Sequence, residues 1–186
     1  MKPALSMEVL LAKAELLTLP GSDYQAMAVT LIEDGHECDA LHELAWDPVT
    51  SHAEAVALFD SAARQLRISK PSRNEAVSTL IRHYAEQIIK EDSVPHIELE
   101  RMMSEVYWPE VSKHESRDFV GDSHDMEEFI GAYWSYDDLR DSPDVVGYNG
   151  LYGEKAVLAF DQHVRTIAKQ WLMRHPELAT PSHSTP

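Results

Sequence analysis

Carboxylates alternating with flat rings are the chemistry this chain offers most densely. They crowd into residues 115–152, which read ESRDFVGDSHDMEEFIGAYWSYDDLRDSPDVVGYNGLY. Within 115–144, ten Asp or Glu stand against Arg117 and Arg140 alone, a balance of −8 out of the chain's −16. Acid beside aromatic surface can draw in a cationic protein and then hold it by excluding water. The residues expected to do so are Asp122, Asp125, Glu127, Glu128, Asp137, Asp138 and Asp141 as anions, with Trp134, Tyr136 and Tyr148 as rings. Magnitudes divide the labour between them. Two unit charges about 10 Å apart in water interact by roughly 0.4 kcal/mol before screening. A field summed over many carboxylates raises association rates by about 10–10³-fold, so affinity must come from the rings. The same pattern also describes a solvated helix face over core aromatics, because Phe129 and Tyr133 sit at core spacing.

A second acidic block, residues 33–47 (EDGHECDALHELAWD), holds six acids, two histidines and no base. If Glu37–Ala45 is helical, Cys38 and His42 lie one turn apart and could present two ligands to a transition ion. The spacing is not the zinc-protease motif, whose histidines are four apart, since His36 and His42 are six apart. A buried small thiol among surface histidines accounts for the block equally, and no cofactor or metal is expected. Nucleophilic catalysis has no foothold. Cys38 has no base partner in sequence and its acidic neighbours disfavour a thiolate. Ser51-His52 and Ser123-His124 fall where helix N-caps belong, and the glycines form no phosphate-cradling loop.

The adjacent pair His124-Asp125, with His96 upstream and Asp161 downstream, resembles the ligand set of the helical HD-type metal phosphohydrolases. The resemblance spans those four residues. It implies a metal-dependent hydrolase, with His124 and Asp125 joined by the other two as ligands. Read from the residues alone, Asp125 belongs to the first turn of a helix, where the helix dipole favours an anion.

The elements that must position these groups are helices. Ser22/Gln25, Ser51/Glu54 and Ser72/Glu75 read as capping boxes, each opening an apolar 3.6-residue period. The expected helices run over about 6–17, 22–34, 37–45, 51–66, 72–90, 93–107, 122–134 and 154–174. Leu17 and Leu158 are placed inward, and 137–153 is an irregular connection. Such long loops are uncommon inside compact domains and often functional. No run of alternating apolar residues announces a sheet. The expected fold is all-α: a single-domain bundle of seven or eight helices over 1–176 with one long irregular acidic loop, then a disordered tail at 177–186 rich in Ser, Thr and Pro.

Composition narrows the function classes. A charge of −16 over 186 residues argues against nucleic acid and anionic lipid as partners. No apolar run spans a bilayer, the N-terminal stretch lacks a cleavage signal, and one cysteine gives no disulfide framework, so a cytoplasmic protein is expected. The leading expectation is an acidic inhibitor of a basic protein, an immunity protein neutralising a bacterial toxin. The metal-dependent hydrolase stands second. A secretion chaperone or adaptor, which would need a long apolar groove, stands third. Oligomeric state is left open.

Overall fold

The computed structural model describes residues 5–48, 51–113 and 123–176. The expected C-terminal tail and the candidate Asp122 lie outside them. Among the described residues the fold is all-α: α1 (Met7–Glu15), α2 (Gly21–Glu33), α3 (Asp39–Trp46), α4 (His52–Leu66), α5 (Arg73–Ile88), α6 (Pro95–Met102), α7 (Glu127–Asp141) and α8 (Gly153–Arg174). Two compact units divide the chain, 1–76 and 77–186, with the boundary in the first turn of α5.

In the first unit, α2, α3 and α4 pack on one another. The core holds Leu10, Ala14 and Leu19 with Tyr24, Met27, Ala28 and Leu31 of α2, Leu41 and Leu44 of α3, and Ala55, Phe59 and Ala62 of α4. Capping follows the sequence where a hydroxyl is free to turn inward. Ser51 accepts from the Glu54 N–H at 3.2 Å. Ser72 forms the full reciprocal box, accepting from Glu75 N–H at 3.3 Å while the Glu75 carboxylate accepts from Ser72 N–H at 2.7 Å. The box expected at Ser22 does not form. Helix α2 already begins at Gly21 behind Pro20, whose fixed φ suits the entry, and Gln25 reaches instead to the Asp47 carbonyl at 3.3 Å. Helix α1 stops early because Leu17 turns left-handed at φ 58, which leaves its side chain exposed.

In the second unit, α6, α7 and α8 pack together. Helix α8 buries Ala156, Phe160, Val164, Ile167, Ala168 and Trp171, and Leu158 lies outside that stripe, exposed. Arg165 of α8 holds the α5–α6 connection by donating to the carbonyls of Ile88 at 2.6 Å and Ser93 at 2.9 Å and to that of Lys90. That role displaces Ser93 from the expected cap: its hydroxyl donates to the carbonyls of Ile88 and Lys90. After α6 the chain makes a π-helical turn, Met103–Tyr107, in which Trp108 N–H bonds the Met103 carbonyl at 2.9 Å.

Helix α7 departs most from expectation. It starts at Glu127, behind Ser123–Asp125, where His124 and Asp125 are left-handed at φ 62 and φ 58. It then continues to Asp141, because Tyr136 and Leu139 extend the buried stripe of Phe129, Ile130 and Ala132. Asp137, Asp138 and Asp141 are therefore helical, and the connection shrinks to 142–152. That connection is itself ordered. Tyr148 and Leu151 pair as an isolated antiparallel bridge around Asn149-Gly150, both at positive φ, the backbone of a type I′ turn.

Candidate functional site

Helix geometry sorts the α7 residues into faces. At 100° per residue, positions 127, 131, 134, 138 and 141 point within about 40° of one direction. All five, Glu127, Gly131, Trp134, Asp138 and Asp141, are exposed. The stripe is about 21 Å long at 1.5 Å per residue. Trp134 sits at its centre, 51% exposed, between carboxylates on both sides. The opposite face is rooted in the core, with Phe129 against Trp171 at 6.4 Å between ring centroids.

Trp134 has a partner that the sequence did not disclose. Trp108, 44% exposed, stands edge-to-face against it at 6.2 Å and 69°. Tyr107 supports Trp108 from behind at 4.5 Å, and Tyr133 meets Trp134 at 5.4 Å. Trp-Pro at 108–109 reads as a helix stop, and nothing local announces that the π turn delivers its ring to α7. Two more acids close in on this cluster. Burial pushes the Tyr133 phenol up from its usual range, and the charges of Asp137 on α7 and Glu100 on α6 push it further.

Other expected contact residues have different duties. Tyr136 is 3% exposed, so it cannot face a partner: its ring packs on Phe160 at 4.8 Å and its hydroxyl donates to Asp161 at 2.6 Å. That is a correction, and its cause is the seven-residue spacing from Phe129, two helical turns along the buried face. Tyr148 is half-buried, set between Phe160 at 5.1 Å and His163 at 5.8 Å. Asp125 and Glu128 are both taken by Arg174, at 2.7 Å and 3.1 Å. Asp125 also lies ahead of α7, so the helix-dipole role expected for it falls to Glu127 and Glu128. The free anions of the stripe are Glu127, Asp138 and Asp141, none in an ion pair among the described residues.

The four residues shared with the HD pattern are not gathered. His96 packs on Tyr136 at 5.8 Å, and Asp161 bonds the same tyrosine. His124 and Asp125 lie towards the other end of α8, where the His124 carbonyl accepts from the Trp171 indole at 3.1 Å and Asp125 meets Arg174. Ten residues of helix, about 15 Å, separate Asp161 from Trp171. Cys38 and His42 are one turn apart, the His42 N–H bonding the Cys38 carbonyl at 3.1 Å, but His42 faces solvent. Among the described residues no group of three or more His, Cys, Asp or Glu is placed to hold a metal, and no helix is long and apolar enough to cross a membrane.

The first unit carries an open concavity of about 320 Å³ lined by Asp60, Ala63, Arg64, Arg67, Ile68 and Lys70. Four of those six are ionisable, which is not the apolar groove a chaperone for amphipathic segments needs. The same unit buries the Tyr24 hydroxyl with no hydrogen-bond partner among the described residues. Its phenol is pushed up to about 12, first by burial and then by Asp60. No known protein family, curated protein or solved structure matched the chain, so its function must be argued from these side chains.

Proposed function

We propose that the protein is an acidic docking protein that captures and occludes a basic protein partner through the exposed face of α7. In its most specific form this is an immunity protein covering the cationic active site of a bacterial toxin. One observation carries the reading: two half-exposed tryptophans, Trp108 and Trp134, packed edge-to-face in the middle of an acidic stripe. Burying the exposed half of an indole removes on the order of 100 Å² from water, worth about 2.5 kcal/mol at 25 cal/mol per Å². That is several times what one rim carboxylate supplies. The rings hold; the acids attract and select the sign of the partner. The ion pairs of Arg174 and the hydrogen bond of Tyr136 support this division by fixing α7 before any partner arrives, which lowers the ordering cost of association.

The test is calorimetric and kinetic titration with a basic protein as candidate partner, the product of a neighbouring gene being the first to try. Trp134→Ala should weaken binding about 30-fold, the effect of a 2 kcal/mol contact. Reversing the charge of Glu127, Asp138 and Asp141 together should slow association and leave dissociation nearly unchanged. An affinity indifferent to both sets of changes would sink the proposal.

A further inference from the structure

We infer that the α7 face has a built seat for one arginine side chain of the partner, the notch left by Gly131 beside Trp134. The inference rests on the docking reading above and names what that face recognises. Glycine is the poorest helix former after proline, and nothing among the described residues asks for it at 131. Its backbone is not in the left-handed region, unlike Gly35, Gly150 and Gly153. Among the described residues, a Cβ built on Gly131 would meet no atom within 4 Å, apart from its own helical backbone and chain neighbours. An alanine would fit and would favour the helix, so the vacancy faces outward.

What the vacancy serves follows from where Trp134 lies. Helical side chains lean towards the N-terminus, and Gly131 lies one turn before Trp134 on the same face, so its missing Cβ leaves open space beside the indole, no described atom of which comes within 4 Å of that position. Trp108 stands against that indole at 69° and limits the approach from one side, while the missing Cβ leaves the Gly131 flank open. Exposed carboxylates bracket the notch, Glu127 one turn before Gly131 and Asp138 one turn after Trp134. A flat aromatic wall with anions at either end suits a guanidinium better than an ammonium. Guanidinium is planar, weakly hydrated and stacks on indole while its edge N–H groups remain free for a carboxylate. Lysine, a compact and strongly hydrated point charge, gains from the acids but little from the slot.

The probes are hexa-arginine and hexa-lysine peptides, titrated at low ionic strength into the full isotope-labelled chain while the indole N–H resonances of its four tryptophans are followed by NMR. Hexa-arginine should shift Trp134 and Trp108, leave buried Trp171 and exposed Trp46 in place, and bind at least about threefold more tightly than hexa-lysine. Gly131→Ala should weaken hexa-arginine about tenfold and spare hexa-lysine, while raising the melting temperature by about 2–4 °C. That gain in stability distinguishes loss of the seat from damage to the fold. Equal affinity for the two peptides, or arginine binding untouched by Gly131→Ala, overturns the seat and leaves the acidic docking surface standing. No shift at Trp134 with either peptide overturns the docking surface itself.

Discussion

Helix α3 and helix α7 have much the same ingredients and put them to different use. Each is acidic, each roots an apolar stripe in its own unit, and each shows a tryptophan to solvent. Trp46 is 66% exposed but is the last residue of an eight-residue helix, and among the described residues no ring packs on it. Trp134 sits mid-helix, flanked by Tyr133 and Trp108, on a helix fixed by Tyr136–Asp161 and by Arg174. Holding a loose aromatic side chain in one rotamer costs about 0.5–1.5 kcal/mol on binding. Trp46 must meet that cost when a partner arrives, whereas much of it is already met at Trp134 by the fold. Acidity alone therefore does not distinguish the two blocks; the packing around the exposed ring does.

The comparison breaks first if α7 is not as firmly rooted as α3. Phe129 and Leu44 are both fully buried, so Phe129→Ala should cost about 3–5 kcal/mol and Leu44→Ala about 2–5 kcal/mol in urea unfolding. A loss under about 1 kcal/mol at Phe129 would mean that α7 is loosely held, and the pre-ordered ring would lose its basis.

Two buried tyrosines sharpen the contrast between the units. Removing the Tyr136 hydroxyl leaves Asp161 short of a donor, so Tyr136→Phe should destabilise by about 1–2 kcal/mol. Tyr24→Phe removes a hydroxyl without a partner among the described residues and should be neutral or stabilising by up to about 1 kcal/mol. Opposite signs are expected, and like signs would show that one hydroxyl has been misread. Both phenols, with Tyr84, also tie stability to alkaline pH. Burial is the first cause in each, reinforced by Asp60 for Tyr24, by the bond to Glu105 for Tyr84 and by the bond to Asp161 for Tyr136. Their folded values lie above the ordinary 10.0. Stability is therefore undiminished below pH 10 and falls as pH rises, because the unfolded phenols ionise first, for Tyr24 between 10 and about 12. The urea midpoint should hold up to about pH 10 and fall beyond it; a flat midpoint to pH 12 would refute the assignment.

Fold class was legible because helix signals are local. The Ser51 and Ser72 caps and the Val164, Ile167, Ala168 and Trp171 part of the α8 stripe stand in the sequence as they stand in the structure, whereas Leu158 was placed inward and Phe160 was missed. The extent of α7 was not read, although Tyr136 and Leu139 keep the period of Phe129, because Pro143 and the glycines Gly147, Gly150 and Gly153 made 137–153 look like an irregular connection. Trp108 was hidden for a different reason. Its meeting with Trp134 depends on a single π turn, an i→i−5 register shift with no compositional mark. The pairing of Arg174 with Asp125 and Glu128 spans 49 and 46 residues, and long-range ion pairs leave no local trace.

Arg174 yields the smallest expected effect, and it separates charge from contact. Its bonds to Asp125 and Glu128 hold two carboxylates that are otherwise exposed, and exposed ion pairs contribute about 0.2–1 kcal/mol each. Arg174→Met keeps the aliphatic stem and removes the cation, so stability should fall by about 1 kcal/mol, the middle of the range for two such pairs. The change frees Asp125 and Glu128 to add their charge to that of Glu127 around the start of the helix, Glu128 about 100° round from it. If the field of this face recruits the partner, association should quicken about two- to threefold at low salt, and the gain should vanish by about 0.5 M salt, where the Debye length is only a few Å. Dissociation should not move, because the tryptophans are untouched. Were dissociation to slow instead, Asp125 or Glu128 would be making a direct contact once released, and the boundary between attracting and holding residues would have to be redrawn to include them.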